Sequence, residues 1–200
     1  MTPVKVELRD GSAALIRPIE PGDWNTLRTA FEHLSEHSRY QRFLTPMPRL
    51  SNAMVDYLTE VDHHGHEALI ALDAASGDGV GVARYVREPG TECAEAAVTV
   101  ADEWQGRGLG TVLLEMLGDR GRKEGVTRFT ALLLAENREM LDLLESLGPV
   151  RVVDTHTGTL EVAADLPEKG VGPELKQGLR MAARESVRLV HPLGARGPRD

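Results

Sequence analysis

Three glycines two residues apart, Gly106, Gly108 and Gly110, crowd the stretch "DEWQGRGLGT" at residues 102–111, and an apolar helical pattern, "VLLEMLGDRG", follows at once. Glycine weakens a helix, so such crowding at a helix entry needs a reason. Residues 105–110 fit Q-x-x-G-x-G after a strand, an arrangement that turns successive backbone N–H groups outward at the positive end of a helix to hold phosphate. A side chain at any of the three glycines would block that approach or disfavour the turn. The Lys-Ser/Thr pair of a P-loop is absent, and a dinucleotide fold would place its glycines after the first strand. Here the motif lies in the second half of the chain.

Two other clusters invite chemistry. "DHHGHE" supplies His63, His64 and His66 between Asp62 and Glu67. Zinc takes ligands from separated segments, and neighbouring strand residues point opposite ways, so a polar loop before a strand is the preferred reading and no metal is expected. Cys93 has no histidine near it in sequence, and a buried, inert thiol is expected there rather than an acyl-carrying nucleophile.

The elements that must position these residues can be read from periodicity. "VKVELRDGSAALIRPI" alternates on both sides of Asp10-Gly11, a hairpin signal. Trp24, Leu27, Phe31 and Leu34 recur at helical spacing, with Asp23 as the expected N-cap. "SRYQRFL" predicts a short helix ended by "TPMP", and "SNAMVDYLTEV" a third, capped by Ser51 or Asn52. "HEALIALDAASGDGVGVARYVRE" reads as a hairpin and "CAEAAVTVAD" as a strand leading to the glycines. Beyond them the pattern predicts a helix of about three turns, the buried strand "TRFTALLLAE", the helix "NREMLDLLESLG" closed by Gly148, and the strands "VRVVDTH" and "TLEVAADL". This order gives an α/β domain around a mixed central sheet flanked by helices.

Composition sets bounds. Two hundred residues with 41% apolar content suit one domain with an appendage. No apolar run approaches a membrane span, the start lacks a signal-peptide pattern, and a single cysteine allows no internal disulfide, so a cytoplasmic protein is expected. Residues 167–200 hold seven Lys/Arg against four Asp/Glu, which leaves 16 against 27, a net charge of −11, on residues 1–166. An acidic body argues against nucleic acid and favours basic or amine partners. After residue 166 a linker, an amphipathic helix with Lys176, Arg180, Arg184 and Arg188 along one stripe, and a flexible tail are expected.

"AEAAVTVADEWQGRGLGTVLLEML", a strand, and "ENREMLDLLESLG" together resemble the GCN5-related N-acetyltransferase (GNAT) family over residues 4–166. "IRPIEPGDW", "SRYQRF" and "VDHHGHEALIAL" look most like the catalytic domain of bacterial protein lysine acetyltransferases, which is often fused to other domains; here that domain is expected to stand alone. The resemblance implies acetyl-CoA as co-substrate and transfer of its acetyl group to an amine, with protein lysine as the acceptor. The pyrophosphate would rest on the N–H groups of Gln105, Gly106, Arg107, Gly108, Leu109, Gly110 and Thr111, with the Arg107 side chain as an added cation. The pantetheine arm would pair along Val98, Thr99 and Val100 where two strands splay, and Asn137 matches the family asparagine that bonds it, besides being a good helix N-cap.

An amine must be neutral to attack a thioester, and free lysine has a pKa near 10.4. The resemblance makes Glu95 the general base, where burial beside the sheet would raise its pKa, whereas Glu92 and Glu103 sit in loops. Leu144 stands where many relatives carry a tyrosine that protonates the departing thiolate. Direct transfer in a ternary complex is the leading reading. Acetylation of a small amine or antibiotic, and a degenerate acyl-CoA-binding regulator, are the alternatives. "SRYQRF" either lines the acceptor mouth or packs as a helix with Tyr40 and Phe43 buried; packing is preferred.

Overall fold

The computed structural model describes residues 3–167. The helix and tail expected beyond Pro167 lie outside the described residues. Among the described residues, eight strands form one sheet: β1 (Val4–Glu7), β2 (Ala13–Pro18), β3 (His66–Asp73), β4 (Gly79–Arg87), β5 (Cys93–Val100), β6 (Arg128–Leu134), β7 (Val150–His156) and β8 (Thr159–Asp165). Their spatial order is β1-β2-β3-β4-β5-β6-β8-β7. Every neighbouring pair is antiparallel except β5–β6, which makes the sheet mixed, as the order of sequence patterns implied. The expected hairpins form, and Gly11, Gly77 and Gly158 take left-handed conformations in their turns.

Helices α1 (Trp24–Glu32), α2 (Glu36–Phe43) and α3 (Asn52–Thr59) cover one face of the sheet; α4 (Leu109–Lys123) and α5 (Arg138–Glu145) cover the other. Leu27, Phe31, Val55 and Leu58 pack on Ala68 and Ile70, while Leu109, Leu113, Leu114 and Leu117 pack on Tyr85 and Phe129. Each fully buried leucine is worth about 1.5–3 kcal/mol, so two apolar layers fix the sheet between them.

Three local expectations change. Asp23 precedes α1 but does not cap it: its carboxylate takes two bonds from Arg17, at 2.5 and 2.7 Å, and one from the Glu20 N–H. The charged fork outcompetes a helix amide. Helix α4 runs for 15 residues, about four turns rather than three. Gly118 and Gly121 do not stop it, because they are buried where Leu147, Leu166 and Phe129 come close. Gly148 does not close α5 by a left-handed turn; a Cβ there would stand 2.5 Å from the Asp165 carbonyl oxygen. Its need is proximity, not handedness.

Candidate active site

Strands β5 and β6 are joined through three residue pairs only, Cys93–Arg128, Ala94–Phe129 and Glu95–Thr130. Beyond Glu95 they part. β5 runs on to Val100 with β4 as its strand partner, and β6 runs beside β8. The splay opens a cleft of about 730 Å³ that reaches from Glu95 past half-buried Val98, Thr99 and Val100 to the glycine turn.

Two of the three glycines make that turn. Gly106 has φ +71° and Gly108 φ +91°, conformations that cost other residues about 1–2 kcal/mol. Gly110 is helical, and a Cβ there would lie 3.2–3.3 Å from the Leu143 methyls, so it lets α5 approach α4. The first helical bond of α4 runs from Val112 N–H to Gly108 C=O, and among the described residues the six N–H groups of residues 106–111 make no hydrogen bond. The Gln105 N–H is already used, donating to the Asp102 carbonyl at 3.3 Å. Six unpaired amides at a helix's positive end form an anion cradle.

The cation beside this cradle is not the one expected. Arg107 pairs with Asp10 at 2.9 Å, donates to the Glu103 carbonyl and covers the Trp104 ring, and its side chain is not in the cleft wall. Arg9, after β1, lines the cleft instead, and its Nε stands 3.2 Å from where a Gly108 Cβ would be. Among the described residues its guanidinium has no hydrogen bond or ion pair. Sequence reading missed Arg9 because nothing local ties it to a turn so far along the chain.

Asp102 couples the turn to α2. Its carboxylate accepts from Ser35 N–H (2.7 Å), Ser35 Oγ (3.0 Å) and Ser38 Oγ (2.5 Å). Gln105 Nε2 donates to the Val100 carbonyl at 3.1 Å and approaches Ser38 Oγ. Burial alone would raise the Asp102 carboxyl, but the serine hydroxyls and N–H outweigh it and hold it below the usual carboxylate range.

Glu95 faces the side of the sheet covered by α1–α3. In register it lies opposite Val86, and Arg84, opposite Ala97, is its diagonal neighbour on the same face. Glu95 is exposed rather than buried, contrary to expectation. Arg42 of α2 lines the same cleft as Glu95, with its guanidinium 5.0 Å from the Phe43 ring centre, and burial holds it below the usual guanidinium range against the charge of Glu95. The "SRYQRF" segment therefore splits between the two readings. Arg39 is a packing residue, stacked on Phe31 and bonded to the Glu32 and Pro48 carbonyls. Gln41, Arg42 and Phe43 line the cleft, and Tyr40 is exposed, contrary to expectation.

Asn137 borders the far wall and is buried. Its Oδ1 caps α5 by accepting from Met140 N–H at 3.0 Å, and its Nδ2 makes no hydrogen bond among the described residues. Leu144 is fully buried, and no tyrosine lines the cleft among the described residues. Cys93 is a free, half-exposed thiol at the start of β5, not a buried one. The three histidines point to different partners: His63 to Glu67, His64 to Glu124, and His66 to Arg84 and the Tyr57 ring.

Comparison with known proteins matches residues 27–148 to the acetyltransferase (GNAT) family. The chain belongs to that family. Acetyltransferase Pat of Mycolicibacterium smegmatis is 33% identical over 194 residues, covering 95% of this GNAT chain and 58% of the relative. Acetyltransferase PA5475 of Pseudomonas aeruginosa is 37% identical over 156 residues, 76% of this chain and 83% of the relative. The crystal structure of the GNAT domain of S. lividans PAT superposes with a TM-score of 0.74 at 30% identity, covering 82% of this chain and 97% of that one. The chain thus spans just over half the length of the first of these relatives and nearly all of a solved GNAT domain.

Proposed function

We propose that this GNAT chain transfers the acetyl group of acetyl-CoA to lysine side chains of proteins, by direct attack within a ternary complex. The observation that carries the reading is the row of unpaired amides at residues 106–111 at one end of a splayed strand whose other end bears Glu95. Five residues of extended chain separate Glu95 from Val100, ~17 Å at about 3.3 Å per residue, a span that suits an extended pantetheine arm. The diphosphate would sit on the amides with Arg9 beside it, and the arm would pair with β5 where β6 has left it. Asn137 Nδ2 would donate to the arm from the opposite wall.

The acceptor would then approach from the α1–α3 side. Glu95 takes a proton from the ammonium, the neutral amine attacks the thioester carbon, the C–S bond breaks to release thiolate, and the second proton, shed as the amine becomes an amide, passes to solvent or to the thiolate. Leu144 offers no acid there, and a thiol pKa near 8.5 makes an unassisted thiolate a tolerable leaving group. The resemblance of the sequence to bacterial protein lysine acetyltransferases supports a protein acceptor, and the exposure of Glu95 leaves room for one.

Glu95→Gln is the test. Mass spectrometry of proteins acetylated in a lysate by purified enzyme and acetyl-CoA should show sites that drop about 10²–10⁴-fold in rate with the variant, while calorimetry gives unchanged CoA affinity. Full activity in the variant would remove Glu95 as the base. CoA release with small amines but no acetylated protein would replace the acceptor.

A further inference from the structure

The charged side chains buried elsewhere in the domain find opposite charges. Asp23 has Arg17, and Glu67, 1% exposed, has Arg120 and His63. Arg84 breaks this pattern. It is 5% exposed, it sits mid-strand beside Glu95 on the acceptor face, and no carboxylate lies within 4 Å among the described residues. Its partners are neutral: Nη1 meets His66 Nε2 at 3.1 Å, and Nη2 donates to the Leu58 carbonyl at 2.9 Å.

A second arginine faces the same spot. Arg42 and Arg84 line the same small pocket on the α1–α3 side, and Arg42 makes no hydrogen bond or ion pair among the described residues. Burial first, and then the charge of Arg42, push Arg84 down to about 9. The charge of Glu95 reaches Arg42, but no carboxylate pairs with either guanidinium among the described residues, and keeping two such groups together unpaired is costly, more so where one is buried. It is also out of character in a body that carries −11 over residues 1–166. Both groups retain N–H donors in the fork geometry that fits a carboxylate.

The location decides which anion. Arg84, opposite Ala97 midway along β5, shares a small pocket with Arg42 on the α1–α3 side, whereas the six amides of residues 106–111 lie past the Val100 end of that strand. The coenzyme's phosphates therefore belong elsewhere. On the proposed function, what approaches Glu95 from this side is the acceptor.

We infer that Arg42 and Arg84 form a carboxylate subsite that selects acceptor lysines flanked by an acidic side chain. Tyr57, exposed and stacked on His66 at 5.0 Å, walls the same corner. The inference rests on the lysine-acetyltransferase reading for its acceptor, but the subsite can be tested by binding alone.

The probes are fluorescein-labelled lysine peptides carrying one Asp at each of the two positions on either side of the lysine, with Asn counterparts, added to CoA-saturated protein. Fluorescence polarisation should show at least one Asp peptide binding tenfold or more tighter than its Asn twin. Arg42→Gln should abolish that difference, and Arg42→Lys should restore part of it. Arg84→Gln should do the same if its melting temperature confirms folding; the half-exposed Arg42 carries the test if it does not. Equal or absent binding of the paired peptides, or a preference that survives Arg42→Gln, overturns the subsite. Acetylation of the same peptides reads the other question. Arg-dependent binding without transfer keeps the subsite and defeats the lysine reading, whereas transfer without preference does the reverse.

Discussion

Gly106 and Gly77 offer a matched pair for asking what the glycine turn does. Their φ values are +71° and +82°, and at neither position would a Cβ meet another atom within 4 Å. Alanine at either site therefore costs backbone strain alone, about 1–2 kcal/mol. For a domain of this size that is roughly a 2–8 °C fall in melting temperature at each site. The two variants should diverge in CoA binding. Gly77 turns the β3–β4 hairpin, whereas Gly106 opens the run of unpaired amides that the diphosphate would occupy. A methyl at residue 106 leaves the N–H in place but stands where the diphosphate would lie, and holding the anion off one amide costs about 1.5–3 kcal/mol, or about ten- to a hundredfold in affinity. Thermal melts with calorimetric titration of CoA separate the effects. Gly106→Ala is expected to lose both stability and affinity, Gly77→Ala stability alone. CoA affinity within twofold of the parent in Gly106→Ala, or an equal loss in both variants, refutes the backbone cradle.

Other expectations follow from single contacts. Arg9→Ala should weaken CoA binding about tenfold and flatten its salt dependence, while Arg107→Ala, which loses a pair with Asp10 outside the cleft, should change affinity much less; titrations at several ionic strengths decide. Asp102→Asn should lower both melting temperature and CoA affinity at neutral pH, because α2 and the glycine turn share that carboxylate. Since the folded protein holds Asp102 below its ordinary value of 3.8, its contribution is complete above that pH and is lost as pH falls through the lowered folded value. The difference between parent and Asp102→Asn should then shrink in melts taken below about pH 4. Gly148→Ala should destabilise by about 1–3 kcal/mol with CoA affinity intact, because its methyl would press on the Asp165 carbonyl at 2.5 Å.

Features carried by neighbouring residues were legible in the sequence, and those carried by distant ones were not. The hairpins at Gly11 and Gly77 announce themselves by alternation and a turn residue, whereas the last two strands were read without the turn that Gly158 makes between them. The left-handed turn at Gly106 and Gly108 was readable for the same reason. Gly110 looks identical in sequence, yet its role is set by Leu143 on another helix. The fourth turn of α4 was not read, because Leu147 and Leu166, which come close to Gly118, lie far along the chain from it. Alternation put Glu95 on a strand face without saying whether that face is covered. Arg9 and Arg84 gave no local sign, since each takes its meaning from a strand or turn that only the folded sheet brings near.

The three-pair seam between β5 and β6 has a mechanical consequence. Strands β1–β5 and the β6–β8 group are stitched at one end and unlaced along the rest, so a molecule lying in the opening would act as the missing rung of a ladder. Part of the sheet's rigidity then belongs to its visitor. Amide exchange in residues 96–100 should slow once the opening is filled, and the acceptor side should stiffen with it, because Asp102 fastens the end of that strand to α2.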